Sequence, residues 1–199
     1  NQKATARIYA ERVGRPYEEL NLVVAHMGGG ISVAAHRKGR VIDVNNALDG
    51  EGPVAPERAG TVPAGDLVDL CYSGRYTHEQ ARHLIVGHAG LVSLTGTNSV
   101  RELDNRAATG DSEAAKALEL MSFTIVKSIG QMAAVLRGEV DAVILTGGIA
   151  YCSRVTDYIT RYCRFIAPIE IFPGENELQA LAHNALRVLQ NQTVAKIYE

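Results

Sequence analysis

Two glycine-rich turns are the places in this sequence where bare backbone could capture an anion. The first is His26-Met27-Gly28-Gly29-Gly30-Ile31-Ser32, between two apolar runs. Consecutive glycines let backbone N–H groups approach a phosphate with no Cβ in the way. The same residues also suit a flexible or bulged hairpin turn. The turn lacks a P-loop's Gly-Lys-Ser/Thr ending and leads into a strand, so neither a Walker motif nor a dinucleotide fingerprint is supported. The second turn is Thr146-Gly147-Gly148-Ile149-Ala150, directly after the apolar run DAVILT and before a helical pattern. Ligands collect beyond the carboxyl ends of strands in open α/β sheets, where helix N-termini offer unpaired donors and partial positive charge. Close packing of helix on strand is the other reason for such a glycine pair. Taken together, one turn on a hairpin and one on a crossover point to a nucleotide.

A third cluster is acidic. Glu175, Asn176 and Glu177 follow Pro173-Gly174 at the start of the last helical segment. Mg²⁺ wants oxygen ligands and keeps several waters, so one carboxylate near phosphates can be enough. Acidic residues in a first helical turn also offset the helix dipole. Asp49 and Glu51 are further, weaker acidic candidates.

The elements that must position these residues follow from periodicity. Residues 3–13 have near-helical apolar spacing, and Gly14-Arg15-Pro16 stops them. NLVVAHM, ISVAAHRKG and RVIDVNN then read as strands separated by short turns, hence a three-stranded antiparallel meander. Residues 47–66 carry too much Gly and Pro for a long element, helices are expected near 66–73 and 77–87, and a glycine-punctuated stretch follows. We treat 47–110 as a loop-and-helix insertion. Asp111 to about Arg137 is the longest helix, with an apolar stripe from Ala114 through Leu118, Met121, Ile125 and Ile129. DAVILT, YCSRVTDYITRYC, IAPIEIF and ENELQALAHNALRVLQ then alternate strand and helix, which implies parallel strands with right-handed crossovers. The fold class is α/β with helices on both faces of the sheet.

The bulk properties exclude several functions. A chain of 199 residues with 46% hydrophobic and 21% charged content can bury a sizeable core. A formal charge of −2 leaves no surplus to neutralise a nucleic-acid backbone, so no nucleic-acid partner is expected. No apolar stretch approaches a bilayer span and no secretory pattern opens the chain, so a cytoplasmic protein with no membrane partner is expected. Cys71, Cys152 and Cys163 are odd in number and widely spaced, which suggests reduced thiols rather than disulfides or zinc. The opening at Asn1, already in a helical pattern, reads as a fragment or processed piece.

HMGGGISV, VIDVNNALDGEGPVAPERAG, GTNSVRE, AAVLRGEVDAVILTGGIAY and IFPGENELQALA, in this order, closely resemble the butyrate kinases, relatives of the acetate kinases. The resemblance covers essentially the whole chain, and DGEGPxxPERxG is specific to the butyrate kinase branch. It implies a ribonuclease H-like (actin-like ATPase) domain, with residues 1–199 as the C-terminal nucleotide-binding domain of a two-domain kinase whose first domain is missing. The activity implied is ATP-dependent phosphorylation of a short-chain carboxylate, butyrate ahead of acetate or propionate, with ATP/ADP and Mg²⁺ as cofactors and a homo-oligomer in the full-length protein. The isolated chain is expected to bind nucleotide without turnover.

By the same resemblance Gly28, Gly29 and Gly30 contact the nucleotide phosphates, and Gly147, Gly148 and Ile149 form the adenosine-side turn. Arg101 lies against adenine and ribose; Ser99, two positions before it, stands where acetate kinases carry an acidic residue. Arg58 stabilises charge on the transferring phosphoryl group, His26 sits beside the phosphates, and Glu175 or Glu177 serves the magnesium. A planar, permanently charged guanidinium can bridge two oxygens at once, which suits Arg58's role. On the residues alone, Arg58 could instead pair with Glu57 or Glu51, and His26 could be a satisfied core or turn residue.

Overall fold

The alternation along the first three strands decides the layering. In the computed structural model, which describes residues 2–174, 181–182, 185–186 and 188–190, helix α1 (Gln2–Val13) leads into β1 (Asn21–Met27), β2 (Ile31–Arg37) and β3 (Arg40–Val44). These pair antiparallel in sequence order, the expected meander, with a register shift between Ala35 and His36. Val23, Ala25 and Met27 of β1 face one core, and Leu22 and Val24 face the other. Successive side chains on a strand point to opposite faces, so both faces need cover. Ala6, Tyr9 and Ala10 of α1, with Tyr17, supply it on one side.

Between the meander and the long helix lie α2 (Ala64–Tyr72), α3 (His78–His83), α4 (Leu91–Thr95) and α5 (Val100–Ala108). The first two sit close to the expected 66–73 and 77–87. The other two are additions inside the glycine-punctuated stretch. Leu91, Val100 and Leu103 from this region enter the main core.

Helix α6 (Ser112–Val135) organises the second face. Asp111 caps it, its Oδ1 accepting from the N–H groups of Glu113 at 3.0 Å and Ala114 at 3.1 Å. Its Ala114, Leu118, Met121, Ile125 and Ile129 are buried, as the apolar stripe requires. By length and composition α6 is apolar enough to cross a membrane, which corrects the expectation that no stretch approaches such a span. The buried stripe packed on the sheet accounts for part of that apolar content, while Leu120, Phe123 and Val135 of the same helix are exposed.

The chain then returns as β4 (Ala142–Gly147), α7 (Ser153–Cys163) and β5 (Ile169–Pro173). β4 pairs parallel with β1 and β5 parallel with β4, giving the sheet order β3-β2-β1-β4-β5. Every residue of β4 is buried, the pattern of a strand covered on both faces. The parallel pairing sets His26 opposite Thr146, so the β1–β2 turn and the turn after β4 emerge side by side at one end of the sheet.

Candidate functional site

The β1–β2 turn is fastened from within and from outside. The Gly28 N–H donates to the Gly30 carbonyl at 3.1 Å, and the Glu57 N–H donates to the Gly29 carbonyl at 3.3 Å. Residues 57–59 are in turn pinned to 85–87, with the Gly87 N–H donating to the Glu57 carbonyl at 2.7 Å and the Ala59 N–H to the Ile85 carbonyl at 2.9 Å. A segment poor in regular structure thus holds a defined position against the glycines.

Gly28 and Gly29 open onto a cavity of about 670 Å³ whose other walls include Gly148, Ile149 and, at the start of α5, Asn98 and Arg101. The structure therefore brings the two glycine turns together on one space. Gly148 has nothing within 4 Å of an added Cβ. Gly147 is different: its φ is +94°, and a Cβ there would lie 2.4 Å from the Met27 carbonyl oxygen. Its N–H and carbonyl also bond to Gly174, at 3.2 and 3.1 Å. Gly147 stands behind the cavity wall, and close strand packing explains it.

Across the same turn, Gly30, His26 and Arg58 line a second cavity of about 520 Å³ together with Ser32 and Asn45. His26, half-buried, is the last residue but one of β1 and lies opposite Ser32. The Arg58 side chain fills the space beside Gly30, where an added Cβ would lie 2.5 Å from Nη1. Its Nε is buried and has no acceptor among the described residues. Neither carboxylate expected to compete for it does so. Glu57 Oε1 accepts from Asn98 Nδ2 at 2.6 Å, and Glu51 Oε2 accepts from the Asn46 N–H at 2.5 Å. A buried guanidinium N–H without an acceptor costs free energy that an anion would recover.

Arg101 is exposed at the second position of α5 and has no ion pair or hydrogen bond among the described residues. Ser99 is the cap of that helix, its hydroxyl accepting from the Glu102 N–H at 3.2 Å. A serine thus fixes the helix start that carries Arg101 into the cavity. Asp104, also on the wall, accepts from Arg154 Nε at 2.8 Å and ties α5 to α7. Cys152 lines the cavity from below, and burial raises its thiol pKa. All three cysteines are free thiols.

Asp49 pairs with Arg82 at 3.1 Å on the surface. Glu175 and Glu177 lie outside the described residues, and among the described residues no group of three or more His, Cys, Asp or Glu is placed to hold a metal. Sequence reasoning missed Asn98, Asp104 and Tyr151 of the larger cavity's wall. Only Tyr151 carried a signal, as an aromatic just after a glycine turn.

The two cavities, separated by one glycine turn, suit an elongated ligand with its anionic part over the turn and a bulky part in the larger space. A model of the acetokinase family matches residues 2–186. Butyrate kinase 2 of Clostridium acetobutylicum is 53% identical over 199 residues, covering 100% of this chain and 56% of that protein. A probable butyrate kinase of Clostridium botulinum (strain Alaska E43 / Type E3) is 50% identical over 198 residues, with the same coverage of 100% and 56%. The chain thus spans about half the length of the curated relatives it matches. Among solved structures, Porphyromonas gingivalis acetate kinase superposes with a TM-score of 0.83 at 21% identity, covering 93% of this chain and 53% of that one. Entamoeba histolytica acetate kinase gives 0.80 at 15% identity, covering 93% and 56%. These likenesses establish the actin-like ATPase fold, and with the family match they lead to one conclusion: the chain belongs to the acetokinase family.

Proposed function

We propose that this chain is the C-terminal, nucleotide-holding half of a kinase that transfers the γ-phosphoryl group of ATP to a short-chain carboxylate, butyrate ahead of acetate or propionate. The observation that carries the reading is the opening of Gly28, Gly29 and Gly148 onto one cavity, with Arg58 across the same turn. In this reading a carboxylate oxygen attacks the γ-phosphorus while its bond to the ADP oxygen breaks, leaving an acyl phosphate and ADP. A carboxylate is already nucleophilic, so the protein's work is to align two anions and offset their repulsion. Gly28, Gly29 and Gly30 hold the phosphates, Arg58 and His26 flank the transferring group, and Arg101, Gly148 and Ile149 with Gly147 behind them form the nucleoside side. Mg²⁺ supplies charge neutralisation on the phosphates when bound, and Glu175 or Glu177 would hold it. The protein acts in the cytoplasm and assembles as a homo-oligomer when full length.

The coverage of the relatives favours a companion reading for the chain by itself, a nucleotide-binding module without turnover. Calorimetry with ADP and Mg²⁺ tests the shared part, with binding heat expected. No heat at millimolar nucleotide would leave a purely structural domain. Hydroxamate formation from ATP, butyrate and hydroxylamine tests the other part. The 199-residue chain is expected to form almost none.

A further inference from the structure

A run of side-chain hydrogen bonds crosses the face of the sheet under α1 and ends at the second cavity. Gln2 Nε2 lies 2.8 Å from Ser32 Oγ and 3.2 Å from the Ser32 carbonyl oxygen. Gln2 Oε1 lies 3.2 Å from His36 Nε2, and His36 Nδ1 lies 2.8 Å from Tyr17 Oη. One carbonyl fixes the polarity of the whole run. A backbone carbonyl only accepts, so the Gln2 atom facing Ser32 is the amide nitrogen. Gln2 Oε1 therefore accepts from His36 Nε2, and Nδ1 of the same ring accepts from Tyr17. At the other end Ser32 Oγ takes the Gln2 N–H as an acceptor, which leaves its own proton unspent. That proton has no acceptor among the described residues. Ser32 is half-buried, pairs across the strands with His26, and lines the second cavity together with Arg58.

Resting on the kinase reading above, we propose that the Ser32 hydroxyl donates a hydrogen bond to the phosphoryl group in transfer, and that Gln2 is the positioning residue that turns the proton towards it. The Gln2 N–H occupies the side of Ser32 Oγ that faces α1, so the hydroxyl proton is directed away from α1 and into the cavity. Tyr17 and His36 are both buried and hold the far end of the Gln2 amide, which keeps it from flipping. A donor fixed before the reaction stabilises developing charge without reorganising at the moment of transfer. Arg58 brings positive charge to this cavity, and Ser32 adds a neutral donor on the opposite strand from His26. The serine touches the reacting group, whereas Gln2 acts only through the serine.

The test compares Ser32→Ala, Ser32→Thr, Gln2→Glu and the double variant Gln2→Glu/Ser32→Ala in a full-length enzyme containing this chain, by kcat, ADP dissociation constant and melting temperature. Ser32→Ala should lower kcat by about tenfold or more while ADP affinity stays within about twofold. Ser32→Thr keeps the hydroxyl and should recover most of the loss. A carboxylate only accepts, so Gln2→Glu draws the Ser32 proton back towards α1 and should lower kcat as Ser32→Ala does. The double variant should then be no slower than Ser32→Ala alone, because the two changes remove one and the same donor. Parental kcat in Ser32→Ala would overturn the proposal. Losses that multiply in the double variant, or parental kcat in Gln2→Glu at a parental melting temperature, would remove the positioning role. Should Gln2→Glu melt early, Gln2→Met replaces it: this change frees the hydroxyl to rotate, a smaller loss is expected, and a loss undiminished in the Ser32→Ala background would again remove that role. A parent enzyme that makes no acyl phosphate from ATP and any short-chain carboxylate removes the kinase reading, and this inference with it.

Discussion

A Cβ at position 30 would lie 2.5 Å from Nη1 of Arg58 and 2.8 Å from its Cζ. Gly30 is therefore a glycine on the arginine's account, whatever its N–H offers a phosphate. Its neighbour Gly29 is exposed, and a Cβ there would meet only the Glu57 carboxylate, with Oε2 at 3.6 Å. Adjacent glycines in one turn thus answer to different constraints. Gly30→Ala should push the guanidinium out of its place and lower turnover by at least about tenfold, with a smaller effect on nucleotide affinity. Gly29→Val should do the reverse, weakening nucleotide binding by blocking backbone approach. Steady-state kinetics and ADP titration of both variants, in a full-length enzyme containing this chain, separate the two. Equal effects on both parameters from both changes would mean that the turn acts as one unit.

Arg58 itself has a buried Nε with no acceptor among the described residues, which fits a group waiting for an anion. Arg58→Ala should cost about 2 kcal/mol or more of transition-state stabilisation in the same full-length enzyme, seen mainly in kcat. Arg58→Lys should recover little, because a point charge cannot make the planar two-oxygen contact. A large rise in nucleotide dissociation constant with unchanged turnover would reassign the residue to binding.

Away from the site, His36 predicts a pH dependence. It is fully buried in β2, its ring between Tyr17 Oη at 2.8 Å and Gln2 Oε1 at 3.2 Å. Gln2 Oε1 can only accept, so His36 Nε2 donates to it and Nδ1 accepts from the tyrosine, a neutral imidazole. Burial, and then the charge of Lys3, lower its pKa from 6.5 to about 4. The unfolded chain therefore takes up a proton that the folded one refuses. The stability this group contributes is complete above about pH 6.5, falls as pH drops towards 4, and is flat below; the span is worth about 3 kcal/mol at most. Urea denaturation at pH 7 and 4.5 should show the slope in the parent and a shallower one in His36→Phe. Identical slopes would place the acid sensitivity elsewhere.

How far such features were legible depended on the range of the interaction. The meander and β4 were readable because alternation and a continuous apolar run are local, and α6 because Asp111 and its stripe are local too. Helices α4 and α5 were not. Gly96, with a φ of +80°, is the left-handed C-cap of the five-residue α4, so a glycine that reads as a loop marker is a helix terminator. In α5, Val100 and Leu103 are the buried residues, too few to write a helical stripe into a short polar segment. The convergence of the two turns was inferred from their chemistry and from a family resemblance. Its physical cause, the parallel pairing of His26 with Thr146, joins residues far apart in sequence. Glu57–Asn98 and Asp104–Arg154 are likewise long-range pairs that no spacing rule could find.

The glycine pair after β4 offers the sharpest separation of packing from binding. Gly147 combines a φ of +94° with a Cβ position 2.4 Å from the Met27 carbonyl oxygen and 2.8 Å from its nitrogen. Gly147→Ala must therefore both strain the backbone and part β1 from β4, for a loss of about 2 kcal/mol or more of folding stability. Gly148 has open space around an added Cβ and lines the cavity. Gly148→Ala should leave the urea midpoint unchanged and lower ADP affinity by reducing backbone approach. Denaturation and ADP titration of the two variants make the comparison. A stable Gly147→Ala chain that has lost only nucleotide binding would overturn the packing role and return Gly147 to the ligand.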